Sequence, residues 1–103
     1  MQVVHQPRVA WDMARLIVAA ADDDALLGWL GTELGGLLGP DCARALRDTR
    51  DRLRVSGGVD RAPIEAGRWR VRLEDLLRTR PETAEPLRSL AVVGSGLLAG
   101  RRG

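Results

Sequence analysis

Between Ala25 and Leu38 the chain places leucines at 26, 27, 30, 34, 37 and 38. Steps of three and four return side chains to one side of an α-helix, so this spacing predicts a helix with a broad apolar stripe. Beside that stripe Gly28, Gly31, Gly35 and Gly39 line up at the same steps. Each glycine inside a helix costs about 1 kcal/mol relative to alanine. Close approach of another helix backbone would offset the cost, as it does at small-xxx-small crossings. The competing expectation is a short helix that frays near Gly35-Gly36, with a loop beyond.

The rest of the chain also favours helix. Met1 to Arg8 is polar and predicts a loose lead-in. A helix is expected from Val9, carrying Trp11, Ala14, Arg15, Leu16, Ile17 and Val18. Asp22, Asp23 and Asp24 interrupt, and one of them is a natural N-cap for the leucine helix. Gly39-Pro40 punctuates, with Pro40 suited to a first helical turn. Cys42, Leu46, Thr49 and Leu53 then form one narrow stripe on a charged helix to about Val55, and Gly57-Gly58 is expected to end it. A short linker, Val59 to Ala62, leads to an amphipathic helix with Ala66, Trp69, Leu73, Leu76 and Leu77, and with Glu74 and Arg78 paired outside. Pro81 stops that helix, and Glu85-Pro86 opens a last one carrying Leu87, Leu90, Ala91 and Val93. Gly94-Ser95-Gly96 is expected to loosen the chain. The fold class is therefore all-α, a small bundle of four to five helices, with a lead-in over 1–8, a helical domain over 9–93 and a loose tail over 94–103.

Composition narrows the function classes. At 103 residues the chain makes one domain. A 45% hydrophobic and 29% charged balance argues against wholesale disorder, and one cysteine excludes a disulfide scaffold. The longest weakly charged run, Ala25 to Gly39, contains Glu33 and is too short to span a bilayer. Met1 to Val9 lacks the pattern of a signal peptide, so a soluble cytoplasmic protein is expected. All sixteen basic residues are Arg, which fits a high-GC bacterium, and the net charge is only +2. Arg and Asp interleave, predicting i,i+4 pairs Arg44–Asp48, Arg47–Asp51 and Asp48–Arg52 on solvated faces. A nucleic-acid patch would instead leave Arg unneutralised along one face.

Signals for catalysis are weak. His5 is the only histidine and lies far in sequence from Cys42, whereas a Cys-His pair needs both held within hydrogen-bond reach. Cys42 fits better as a small core residue, and one Cys with one His cannot make a structural zinc site. The aspartate triplet points in several directions and suits helix capping better than a hard cation. Gly94-Ser95-Gly96 followed by Gly100 misses the dinucleotide fingerprint. No enzyme, cofactor or metal is expected. Of the tryptophans, Trp69 is in phase with Leu73 and Leu76 and predicts core, while Trp29 lies off the leucine stripe and is the better candidate for partner contact.

Gly67-Arg68-Trp69-Arg70-Val71-Arg72-Leu73-Glu74-Asp75-Leu76-Leu77, then Pro81 and Glu85-Pro86-Leu87-Arg88, resembles small helical proteins of Streptomyces-like actinobacteria. In these an Ala-rich first helix, a charged helix, a Trp-x-x-Arg-x-x-x-Leu-Leu helix and a short final helix follow one another. They look like adaptor or effector-associated modules found beside protease-like and signalling domains, and the resemblance brings no catalytic residue. The glycine row departs from that pattern.

The function expected is a non-enzymatic helical interaction module that self-associates, or docks another protein, through Ala25 to Leu38. The residues expected at that interface are Leu27, Gly28, Trp29, Gly31, Gly35, Leu38 and Gly39. A 103-residue chain has a small core, and a symmetric dimer is the commonest way to cover surplus apolar surface. Two alternatives belong to other classes. One is a membrane-acting helical hairpin built from Leu16–Ala21 and Ala25–Leu38. The other is a nucleic-acid binder using Arg44, Arg47, Arg50, Arg54, Arg68, Arg70 and Arg72.

Overall fold

In the computed structural model, which describes residues 5–55 and 61–102, the chain forms an all-α bundle. Its helices are α1 (Gln6–Ala19), α2 (Asp24–Leu38), α3 (Pro40–Val55), α4 (Ala62–Thr79) and α5 (Ala84–Arg102), with one 3-10 turn over Pro81–Thr83. There is no strand among the described residues. The expected stop at Gly57-Gly58 and the start of the linker at Val59 lie outside them.

Local chemistry explains most helix ends. The His5 Nδ1 accepts the Arg8 backbone N–H at 3.2 Å, so α1 begins at Gln6 and not at Val9. Residues 6–8, expected in the lead-in, are therefore helical, and residues 1–4 lie outside the described residues. Asp23 is the aspartate that caps α2, accepting the Leu26 N–H at 3.0 Å, and Asp24 occupies the first turn. The leucine helix does not fray at Gly35-Gly36 but runs to Leu38. Gly39 then takes φ +107°, the one positive φ among the described residues, and its N–H reaches the Gly35 carbonyl at 2.9 Å. That backbone region favours glycine, and Pro40 opens α3 directly after it.

The loose tail expected over 94–103 is a correction. Helix α5 passes through Gly94-Ser95-Gly96 without a break and continues to Arg102. Gly94 is where this helix crosses its neighbours: an added Cβ would lie 2.5 Å from Leu16 Cδ2 and 3.4 Å from Trp29 Cζ3. The glycine makes room for a close crossing. At the far end Arg101 Nη1 donates to both carboxylate oxygens of Asp23, at 3.0 and 2.9 Å, tying the exit of α5 to the entry of α2.

Helix α1 is the organising element. It packs most extensively on α4 and also lies against α5, while α2 packs on α3 and α5. Met13, Ile17, Leu26, Leu30, Leu34, Leu46, Leu73, Leu77 and Leu87 are fully buried between them. The narrow α3 stripe is buried at all four of its positions, Cys42, Leu46, Thr49 and Leu53. Trp69 is in the core as its phase implied, and its Nε1–H donates to Thr49 Oγ1 at 2.8 Å.

The expected ion pairs do not form among the described residues. Arg44 turns to Asp41, Arg50 to Asp51 and Arg70 to Glu74, while Arg78 pairs with Asp75. Arg52 reaches across to α4 and binds Glu65 through both Nε and Nη2. An exposed i,i+4 pair contributes only about 0.3–0.5 kcal/mol, so a buried carboxylate in need of two donors readily outcompetes it.

Candidate functional site

The seven residues expected at an interface on α2 do not form one surface. Leu27 and Leu38 are 5% and 8% exposed and belong to the core. A Cβ added at Gly31 would sit 3.9 Å from Leu46 Cδ1, and one at Gly35 would sit 3.4 Å from Ala43 Cβ. Both glycines therefore face α3 of the same chain. Gly39 makes the turn between the two helices, and Trp29 is half-buried with its ring against Gly94 on α5. Of the seven, Gly28 and Gly39 have nothing within 4 Å of an added Cβ. The crossing anticipated from the glycine row exists, but its partner is intramolecular. Periodicity marks which side of a helix is covered and carries no record of whose helix covers it.

The longest uncharged surface that remains open lies on α5. From Ser89 to Gly100 there is no charged residue. Leu87, Ala91 and Gly94 turn inward, and Leu90 and Leu98 are half-buried at the margins. Val92, Val93 and Leu97 are 60%, 51% and 43% exposed. The face continues into a shallow groove against α2, where Trp29, Leu37, Pro86 and Val93 line the walls. On α5 itself the charges lie at the two ends of the run, Glu85 with Arg88 and Arg101 with Asp23, while Glu33 of α2 and Asp12 and Arg15 of α1 line its two sides. Leu87, Leu90, Ala91, Gly94 and Leu98, the covered side of α5, keep helical phase through the glycines, but Gly94-Ser95-Gly96 reads as a break, and sequence reasoning therefore missed this surface.

The strongest electrostatic feature lies between α3 and α4. The Glu65 side chain is fully buried, and Arg52 donates to its two oxygens at 2.9 and 2.8 Å. Arg68 and Arg61 stand at 3.6 and 3.8 Å. The Arg52 fork holds the carboxyl below the usual carboxylate range, against the opposing effect of burial. A carboxylate held ionised by guanidinium groups is a poor proton acceptor, so Glu65 braces two helices and has no place as a general base. Arg52 also reaches Thr49, which receives Trp69, so one network joins the pair to the core.

The other chemistry-bearing residues are similarly engaged. Cys42 is buried on the core side of α3, and burial pushes its thiol up to about 11, with Arg72 opposing. His5 is occupied at the start of α1, and no hydrogen bond joins it to Cys42. Asp23 caps α2 and receives Arg101, while Asp24 pairs with Arg54. Among the described residues no three His, Cys, Asp or Glu side chains gather as a metal-binding group, and no helix is long and apolar enough to cross a membrane.

Comparisons with protein-family models, with curated proteins and with solved structures find no match to this chain.

Proposed function

We propose that this chain is a non-enzymatic helical interaction module that self-associates through the outer face of α5. The observation that carries this proposal is the uncharged, half-open run from Ser89 to Gly100, with Val92, Val93 and Leu97 in solvent. A contiguous exposed apolar face on a small protein marks an interaction surface. A two-fold contact must also be complementary to itself. An antiparallel crossing of two α5 helices meets that condition. Small residues at 95, 96, 99 and 100 allow close approach, and no like charges oppose one another along the run. The end charges, Glu85 with Arg88 and Arg101 with Asp23, are already paired within each copy, so an antiparallel contact brings no unpaired charge against the apolar run. The resemblance of residues 67–77 to adaptor-type helices of actinobacteria points the same way.

Light scattering after size exclusion tests the proposal. The expected mass is twice that of the chain, and Val93→Glu should convert it to a monomer with its helical circular dichroism unchanged. A monomer at high concentration, or a dimer indifferent to Val93→Glu, would overturn it. Co-flotation of the protein with liposomes, lost in Val93→Glu, would assign the same face to a lipid surface instead.

A further inference from the structure

Trp11 stands apart from the other tryptophans because it lies at the surface, 36% exposed, in a groove between α1 and α4. Arg15, one turn further along α1, places its guanidinium carbon 4.9 Å from the indole centroid. Arg70 reaches over from α4 to 5.7 Å. The ring is thus attended by two guanidinium groups from two different helices. Gly67 forms part of the groove, and a Cβ there would meet nothing within 4 Å. Arg8 pairs with Asp12 at 3.9 Å and Arg70 with Glu74 at 3.5 Å, whereas Arg15 has no carboxylate within 4 Å among the described residues.

Stacking on an aromatic face fixes the plane of a guanidinium while leaving its N–H fork free to bind a carboxylate with two bonds. Tryptophan and arginine are also the residue types that dominate interface energetics. Next to this fork, α4 exposes Ile64 and Val71 by 53% and 55%. With Gly67 between them at i+3 and i+7, they form one ridge along the same side of α4. The surface therefore offers a cationic fork beside an apolar ridge. Its charge does not suit a polyphosphate backbone, because Asp12 pairs with Arg8 and Glu74 with Arg70, which leaves Arg15 as the arginine in surplus and suits a single acidic side chain better than a continuous row of phosphates. An amphipathic peptide can place its acidic side chains at the arginines and its apolar ones on the ridge.

We propose that the groove between α1 and α4 docks an acidic amphipathic segment of a partner protein, with one carboxylate held by Arg15 and Arg70 beside Trp11. Arg15 and Asp12 also line the neighbouring groove against Val92 on α5, so the site borders the α5 face, and peptide binding is measured on the Val93→Glu variant as well as on the parent.

The probe is a fluorescein-labelled helical peptide of leucine and glutamate, compared with its leucine–glutamine counterpart and with a single-stranded DNA oligonucleotide. The glutamate peptide should bind saturably, move the Trp11 indole N–H resonance and leave those of Trp29 and Trp69 in place. Loss of both forks in R15Q/R70Q should weaken it by about tenfold or more, as truncation of a paired interfacial charge does. R44Q/R47Q, which removes two arginines from α3, should stay near the affinity of the parent. Gly67→Leu fills the open groove without changing charge and should weaken binding as well, which separates occlusion from lost electrostatics. The proposal is overturned if the glutamate peptide does not saturate, or if the glutamine peptide binds as well. Equal weakening in R44Q/R47Q, or tighter binding of DNA than of peptide, would overturn it too.

Discussion

Glu65 occupies a position where burial by itself would favour the neutral acid. Arg52 reverses that preference by donating twice to the carboxylate, and Arg68 and Arg61 add to the effect. The sign of the pH dependence follows. A folded-state pKa below the ordinary value, about 4.3 for glutamate, means that the unfolded chain takes up the proton more readily. The contribution of Glu65 to stability is full above that ordinary value and is lost as pH falls through the depressed one. The urea midpoint should therefore drop on acidification below about pH 5. In Glu65→Gln the drop should be shallower, the remainder coming from groups such as Glu85, which Arg88 also holds low. At neutral pH the same variant should lose about 1–3 kcal/mol, because Arg52 then faces a group that no longer matches its charge. An acid slope unchanged in Glu65→Gln would mean that other carboxylates govern it.

Helices α2 and α5 both carry glycine rows, and the structure gives those glycines opposite roles. Gly28 on α2 faces open space, while Gly94 on α5 sits against Leu16 and Trp29. Gly28→Ala should stabilise the protein by about 0.4–1 kcal/mol by restricting the unfolded chain. Gly94→Ala should destabilise it by about 1–3 kcal/mol, since Leu16 is buried and has little room to yield. Thermal melts of the two variants decide the matter, and a Gly94→Ala protein that melts higher than the parent would contradict the crossing. The same contrast shows what was legible in the sequence. The stripes of α2, α3 and α4 were, because leucine, Cys42, Thr49 and Trp69 recur in helical phase, and so was the aspartate cap of α2. The course of α5 was not. A glycine that yields to a neighbour and a glycine that ends a helix look alike until the neighbour is known. The seven-residue interface failed for a related cause: Gly31 and Gly35 are covered by α3, which follows them directly in sequence. The groove at Trp11 depends on Arg70, which lies far along the chain, and no local pattern connects the two.

In the molecule as a whole, Cys42 reports on every layer at once, since its stripe packs into a core shared by all five helices. Burial raises its thiol to about 11, and only the thiolate reacts quickly with disulfide reagents. Labelling of the native protein should thus proceed through opening of the bundle, and its rate should rise in step with each destabilising variant. Fast labelling in the absence of denaturant would show that α3 lifts from the core by itself. The central place of α1 has another consequence, which concerns the order of synthesis. Of the described helices this one is synthesised before the others, yet its main packing partners, α4 and α5, follow it only after α2 and α3. At about 5–20 residues per second, α1 must wait several seconds for them. Meanwhile α2 and α3, joined by the tight turn at Gly39, are already able to pair. The nascent chain therefore carries α1 as an unclosed apolar helix until α4 and α5 have been made.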